Sequence, residues 1–189
     1  MTVIVAARTQ RDGIAMACDS LTTAGWLKEY NDTSKIWAAD DTYLIGGAGC
    51  VRTTQVIRHF TTWPKWRPDE DTDIPAFVIK RIVPAIRTAC EGAGVTRSKE
   101  GIESIRSELI IAWGDNLATV SGNGAVIIPR DHYTATGSGY AEALGALGEK
   151  GPWTKAQVIE VARRATITAV GCDGPIKYAT TKDLAVEVV

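Results

Sequence analysis

The strongest constraint on this chain is the order in which its hydrophobic period changes. Residues 2–9 alternate, "QRDG" at 10–13 supplies a turn, and "GIAMACDS" carries a second strand to its end at Asp19 and Ser20. A third strand covers about 34–39, Asp40 and Asp41 turn the chain, and "TYLIGGAG" runs into a glycine cluster. From Val51 to Trp63 the period becomes helical, with Val51, Val56, Ile57 and Phe60 as the apolar face. A proline-rich, charged loop, "WPKWRPDEDTD", follows. A second helix then spans about 74–90, with Ile79, Ile82, Val83 and Ile86 at helical spacing and Pro84 placed to kink or divide it. Residues 91–106 are polar and glycine-containing and read as a mobile connection.

Strands resume with "SELIIAWG", "LATVSG", "AVIIP" and "HYTATG", separated by "GDN" and "GNG" turns. "GSG" at 137–139 leads to a helix from about Tyr140 to Leu147, which Gly148 is placed to end. Another helix covers about 154–170 behind Thr154 as N-cap, and "PIKYATTKDLAVEVV" gives two short strands. Strands, two helices, strands, two helices, strands: this order points to layered α+β rather than alternating βαβ units. Two antiparallel sheets stacked face to face, with a helical pair on each outer side, use every element. A length of 189 residues suits one domain, 1–189, with no second domain or internal repeat.

Composition excludes several function classes. A net charge of −1, with basic residues scattered, offers nothing for nucleic acid or an anionic membrane. No apolar stretch reaches the ~18 residues of a membrane span, and no signal peptide precedes the first strand, so a cytoplasmic protein is expected. Cys18, Cys50, Cys90 and Cys172 lack CxxC spacing and read as reduced, mostly buried thiols. His59 and His132 are the only histidines, which supplies a Ser-His-Asp triad or a His-based zinc site poorly. No cofactor is called for.

Thr2 follows a methionine at the head of the first strand. If Met1 is removed, one residue carries both a hydroxyl and a free α-amine, whose ordinary pKa of roughly 7.7–8.0 lets it act as a general base. That is the N-terminal-threonine form of a nucleophile with its own base.

Six blocks, "TVIVAAR", "GIAMACDS", "NDTSKIW", "LIGGAG", "ATVSGNGAV" and "TATGSGYAEALGAL", occur in order along nearly the whole chain. In these the chain resembles the proteasome β-subunit and bacterial HslV peptidases of the N-terminal-nucleophile (Ntn) hydrolases, with HslV and the bacterial Anbu proteins as the nearest candidates. The resemblance implies the four-layer α-β-β-α sandwich of that superfamily. It implies a catalytic Thr2, an active-site Lys35 that favours the Thr2 alkoxide, and Asp19 as the carboxylate partner of that lysine. It assigns the oxyanion-hole N–H to Gly49 and contact with the threonine amine to Ser138. Lys28 is a competitor for the lysine role, but the Ile-Trp strand after Lys35 fits better.

Where the proteasome pattern has an aspartate and a further serine, this chain has Thr168 and Gly171, with Asp173 nearby and out of register. In HslV relatives that turn can bind a cation through carbonyls, and "GCDGP" has the composition for it. Thr22, Thr33, Trp37, Gly47 and Val51 fall where the family lines its first specificity pocket. Gly47 would leave the floor open to larger apolar side chains, whereas Trp37 would narrow it.

The function so implied is a self-compartmentalising threonine endopeptidase acting on polypeptides, working as a homo-oligomer of stacked rings or a helical array and fed by an ATP-dependent unfoldase. Two alternatives stay open: a catalytically silent assembly protein with Met1 retained, and a small-molecule amidohydrolase on the same fold.

Overall fold

The computed structural model describes residues 1–24, 27–30, 33–99, 101–148 and 151–189. In chain order the strands are β1 (Ile4–Arg8), β2 (Ile14–Cys18), β3 (Leu21–Ala24), β4 (Leu27–Tyr30), β5 (Ile36–Ala39) and β6 (Tyr43–Gly49). Helices α1 (Val51–Phe60), α2 (Ile74–Phe77) and α3 (Val83–Gly92) follow, the last two joined by a π-helical turn over Val78–Ile82. Then come β7 (Thr96–Lys99), β8 (Ile102–Ile105), β9 (Ser107–Trp113), β10 (Asn116–Val120), β11 (Val126–Ile127) and β12 (Tyr133–Thr136). Helices α4 (Tyr140–Leu147) and α5 (Lys155–Thr168) precede β13 (Lys177–Thr180) and β14 (Glu187–Val188).

Among the described residues the strands form two five-stranded antiparallel sheets, ordered β12-β1-β2-β13-β14 and β11-β10-β9-β6-β5, plus the hairpins β3-β4 and β7-β8. Strand alternation assigns each residue to a layer. Ile4, Ala6, Ile14 and Met16 of the first sheet meet Ile36, Leu44, Ile110 and Ala112 of the second. The opposite face of the first sheet, Val5, Ala7, Ala15 and Ala17, packs on Ala143, Val158, Val161 and Ala162 of α4 and α5. On the second sheet, Tyr43, Ile45, Leu109, Ile111 and Trp113 pack on Val56, Ile57, Phe77, Ile82 and Ile86. Sheets covered on both faces need apolar residues at successive positions, which is why "SELIIAWG" reads as an unbroken run. The architecture is the expected α-β-β-α sandwich of two antiparallel sheets flanked by helices.

Local chemistry matches at several joints. Asp40 and Asp41 both take positive φ, 49° and 47°, and the Thr42 N–H reaches the Ala39 carbonyl at 3.2 Å, a turn of the I′ kind that matches strand twist. Thr154 caps α5 in a reciprocal box with Gln157, and Gly148 follows α4 as its C-cap.

Three expectations need correction, and one is met in an unexpected form. The segment 91–106 is the β7-β8 hairpin, which buries Ile105, rather than a loose connection. A second hairpin, β3-β4, was not expected, because its strands are short, β4 is exposed throughout, and neither carries a clean apolar alternation. The helix around Pro84 is divided as expected, by a π turn, with Pro84 in the first turn of α3. The π turn before it spans the place where proline supplies no N–H, and the Val83 N–H bonds back to Val78. The wider turn also rotates the buried face, so Val78, Ile82, Ile86 and Cys90 are buried while Ile79 is exposed. Helix α1 stops at Phe60 and buries Thr53, Val56 and Ile57, leaving the ends of its expected apolar face, Val51 and Phe60, exposed.

Trp113 is fully buried and makes ring contacts with Tyr43, Trp66 and Phe77. Trp113→Ala is therefore expected to cost about 3–5 kcal/mol and to lower Tm by roughly 10 °C, measured by thermal unfolding.

Candidate active site

The site gathers at one open end of the sandwich. Asp19, just past β2, is wholly buried. Burying a carboxylate is costly unless its oxygens are bonded, and here they are. The Val3 N–H donates to Oδ1 at 2.9 Å, the Asp173 N–H to Oδ2 at 3.3 Å, and Lys35 Nζ to Oδ1 at 2.7 Å. The Lys35 side chain, in the approach to β5, is itself only 12% exposed.

Lys35 Nζ reaches one step further, to the Met1 carbonyl at 3.3 Å. The Thr2 hydroxyl donates to that same oxygen at 2.7 Å. Ammonium and hydroxyl thus converge on one carbonyl. The Thr2 nitrogen donates to Ser138 Oγ at 3.1 Å, while the Gly139 N–H holds the Thr2 carbonyl at 3.1 Å. Met1 itself is seated, its nitrogen donating to Thr23 Oγ1 at 3.0 Å and its side chain against Gly171.

Gly49 closes β6, is exposed, and has φ 118°, and a side chain there would run into the Arg106 carbonyl. It borders two cavities on either side of Thr2. One, of about 90 Å³, is lined by Thr22, Thr33, Lys35, Trp37, Gly47 and Val51, with Arg58 also in its wall. The other, of about 410 Å³, runs past Arg106, Ser107, Glu108 and Ser138. All ten residues singled out from the sequence therefore come together here. Within the first cavity Trp37 decides the shape. A Cβ on Gly47 would meet its ring at 3.1 and 3.2 Å and the Thr54 methyl at 2.8 Å, so the space glycine leaves is already taken.

Lys28 lies away from Thr2 on the exposed β4, paired at 3.4 Å with Asp173. Asp173 contributes to the centre through its backbone, not its carboxylate, which accepts from Tyr30 and Lys28 and is held below the ordinary aspartate range by the Gly174 N–H first and the Tyr30 hydroxyl next. The carbonyls of Asp173 and Pro175 already accept from the Ser20 and Leu21 N–H groups and from Ser20 Oγ. Thr168 is exposed at the end of α5, and Gly171 lies under Met1. Arg58 was missed. The signal for it was helical period, since Val51, Gln55 and Arg58 sit at i, i+4 and i+7 of α1 and all line the cavity.

The thiols divide. Burial pushes Cys18 and Cys90 up to about 11, and Cys172 rises for the same reason. Half-exposed Cys50, beside Gly49, is lowered chiefly by the Thr53 N–H at the start of α1, although that N–H makes no well-aligned bond to it.

No family model matches the chain. Solved structures do. BPH of Thiobacillus denitrificans superposes with a TM-score of 0.73 at 22% identity, covering 97% of this chain and 98% of that one. The same protein in complex with epoxomicin gives 0.72 at 22%, covering 98% and 100%. Eukaryotic HslV from Trypanosoma brucei gives 0.65 at 19%, covering 98% of each.

Two outcomes follow. Asp19→Ala leaves Lys35 without its carboxylate and two N–H groups unbonded, and is expected to cost about 3–5 kcal/mol in a denaturant titration. Brief iodoacetamide treatment at neutral pH should label Cys50 ahead of Cys18, Cys90 and Cys172 in peptide mass mapping, with labelling slowing as pH falls through the lowered thiol pKa. Over nearly its whole length, this chain has the fold of BPH and HslV.

Proposed function

We propose that the chain is a threonine peptidase of the proteasome and HslV type, active once Met1 is gone. The observation that carries the reading is the convergence of Thr2 Oγ and Lys35 Nζ on one carbonyl oxygen in front of buried Asp19. Without Met1, the Thr2 nitrogen becomes an amine beside Ser138 Oγ and can take the hydroxyl proton, directly or through water. Oγ then adds to a peptide carbonyl. The Lys35 ammonium stabilises the developing negative charge on Oγ, and the Gly49 N–H is assigned to the tetrahedral oxyanion. The ammonium of Thr2 returns its proton to the leaving amine, the peptide C–N bond breaks, and an ester remains on Thr2. Water, deprotonated by the same amine, hydrolyses that ester and restores the hydroxyl.

The proposal includes assembly of many copies into stacked rings or a helical array in the cytoplasm, with an ATP-dependent unfoldase supplying polypeptide. Large exposed apolar side chains at the end of α5, Ile167 and Val170, support burial against another chain. Among the described residues no helix is long and apolar enough to cross a membrane.

A second reading, a silent assembly protein, is favoured by how well Met1 is seated. An amide nitrogen on Thr2 has its lone pair delocalised and cannot serve as base.

Release from a cleavable N-terminal fusion, with Thr2 first by intact mass, is expected to yield peptidase activity and a mass shift with epoxomicin, the compound found on BPH of T. denitrificans. Thr2→Ala in the same format should lose activity by at least about a thousandfold and show no shift, with its assembly state in light scattering unchanged. Equal activity of the Thr2→Ala protein would sink the peptidase reading. Full activity with Met1 still attached would sink the role of the free amine.

A further inference from the structure

The cavity beside Thr2 carries a positive charge that the chemistry at Thr2 leaves unused. Arg58, half-buried on α1, lines it, and two contacts orient its guanidinium. One nitrogen donates to the Ser34 carbonyl at 3.4 Å, and the group lies over the Trp37 ring, 5.8 Å from its centroid. Among the described residues Arg58 has no carboxylate partner. Besides Arg58 the described lining holds two charged groups, the Met1 α-ammonium, which donates to Thr23, and Lys35, which is already paired with Asp19, and it holds no carboxylate. Glu29, opposite Thr22 across the β3-β4 hairpin, is exposed and stands outside the lining. Trp37 and Thr54 occupy the space next to Gly47, so the glycine does not enlarge the cavity for an apolar side chain.

Resting on the peptidase reading above, we infer that this cavity selects polypeptides with an acidic side chain, Glu or Asp, on the residue whose carbonyl Thr2 attacks. Arg58 is the specificity-determining residue. A guanidinium presents paired donors that match a carboxylate bidentately, and stacking on Trp37 fixes the fork before substrate arrives, so little order is lost on binding. The site also rejects: a lysine side chain entering the cavity meets the Arg58 guanidinium, and the described lining offers it no carboxylate, since that of Asp19 is taken up by Lys35.

The test uses protein with Thr2 as first residue and peptide substrates that differ only at that position, carrying Glu, Gln, Leu or Lys. Wild-type kcat/KM is expected to favour Glu over Gln by about tenfold to a hundredfold, with Lys poorest. Arg58→Gln should bring the Glu-to-Gln ratio close to one, and Arg58→Glu should reverse the Glu-to-Lys order. Arg58→Lys, which keeps the charge and loses the fork, should fall between. Each ratio is taken within one protein, so a partly misfolded sample does not distort it. An unchanged Glu-to-Gln ratio in Arg58→Gln overturns the inference.

Titrating N-acetylated tripeptide amides ending in Glu, Gln or Lys into the same proteins separates this inference from the reading it rests on. Glu-selective binding that Arg58→Gln abolishes, with no substrate cleaved, upholds acidic recognition and removes the peptidase reading. Cleavage with no preference for Glu does the reverse. Absence of both overturns both.

Discussion

The buried carboxylate of Asp19 is the interaction on which the rest of this structure depends. A charge with no exposure to water must find its compensation within the protein, and Asp19 draws it from three segments distant in sequence: the Val3 N–H, Lys35 Nζ and the Asp173 N–H. Each contact fixes an element. Val3 sets the start of β1 beside the end of β2, Lys35 sets the approach to β5 and so joins the two sheets, and Asp173 sets the turn before β13. The unexpected β3-β4 hairpin is tied to the same knot, since Tyr30 and Lys28 bond the Asp173 side chain while its N–H serves Asp19.

What the sequence made legible follows from which forces were local. The strands with both faces buried announced themselves by apolar runs, the Asp40-Asp41 turn by its residue types, and α5 by its cap, because each depends on side chains within a few positions. The hairpins β3-β4 and β7-β8 lie largely at the surface, with Leu21 and Ile105 buried, and are made mostly by pairing with a neighbouring strand, which no periodicity records. Pro84 shows the same limit in a helix. Its missing N–H and its ring demand some disturbance, but the residue types do not say which; here it is a π turn, with Ile82 and Ile86 in the core against the second sheet.

The site divides along similar lines. Thr2, Asp19, Lys35, Gly49 and Ser138 were legible through motif resemblance, in which short blocks hold both the residue and its structural setting. Arg58 belongs to none of those blocks. It reaches the cavity because α1 starts at Val51, just beyond Gly49 and the N-cap Cys50, and brings every third or fourth residue back to the same wall. The exposure of Val51 and Phe60 has the same origin, for the helix turns one face to the sheet through Thr53, Val56 and Ile57, and the face beside it to the cavity.

This arrangement also separates the frame of the site from the state of its first residue. The three donors to Asp19 come from Val3, Lys35 and Asp173, and none is an atom of Met1. Gly139 holds Thr2 by its carbonyl and Ser138 meets its nitrogen, groups that survive loss of the residue before them. Met1 contributes one carbonyl, shared by the Thr2 hydroxyl and Lys35, one nitrogen bonded to Thr23, and a side chain against Gly171. Removing it therefore leaves the buried network intact and frees three groups at once: the hydroxyl, the ammonium that faced the same oxygen, and a nitrogen converted from amide to amine. The lysine stays in place because Asp19, not Met1, holds it. On the peptidase reading, breaking one peptide bond would uncover a nucleophile, its base and a positive charge, while the bonds that hold Asp19 stay in place.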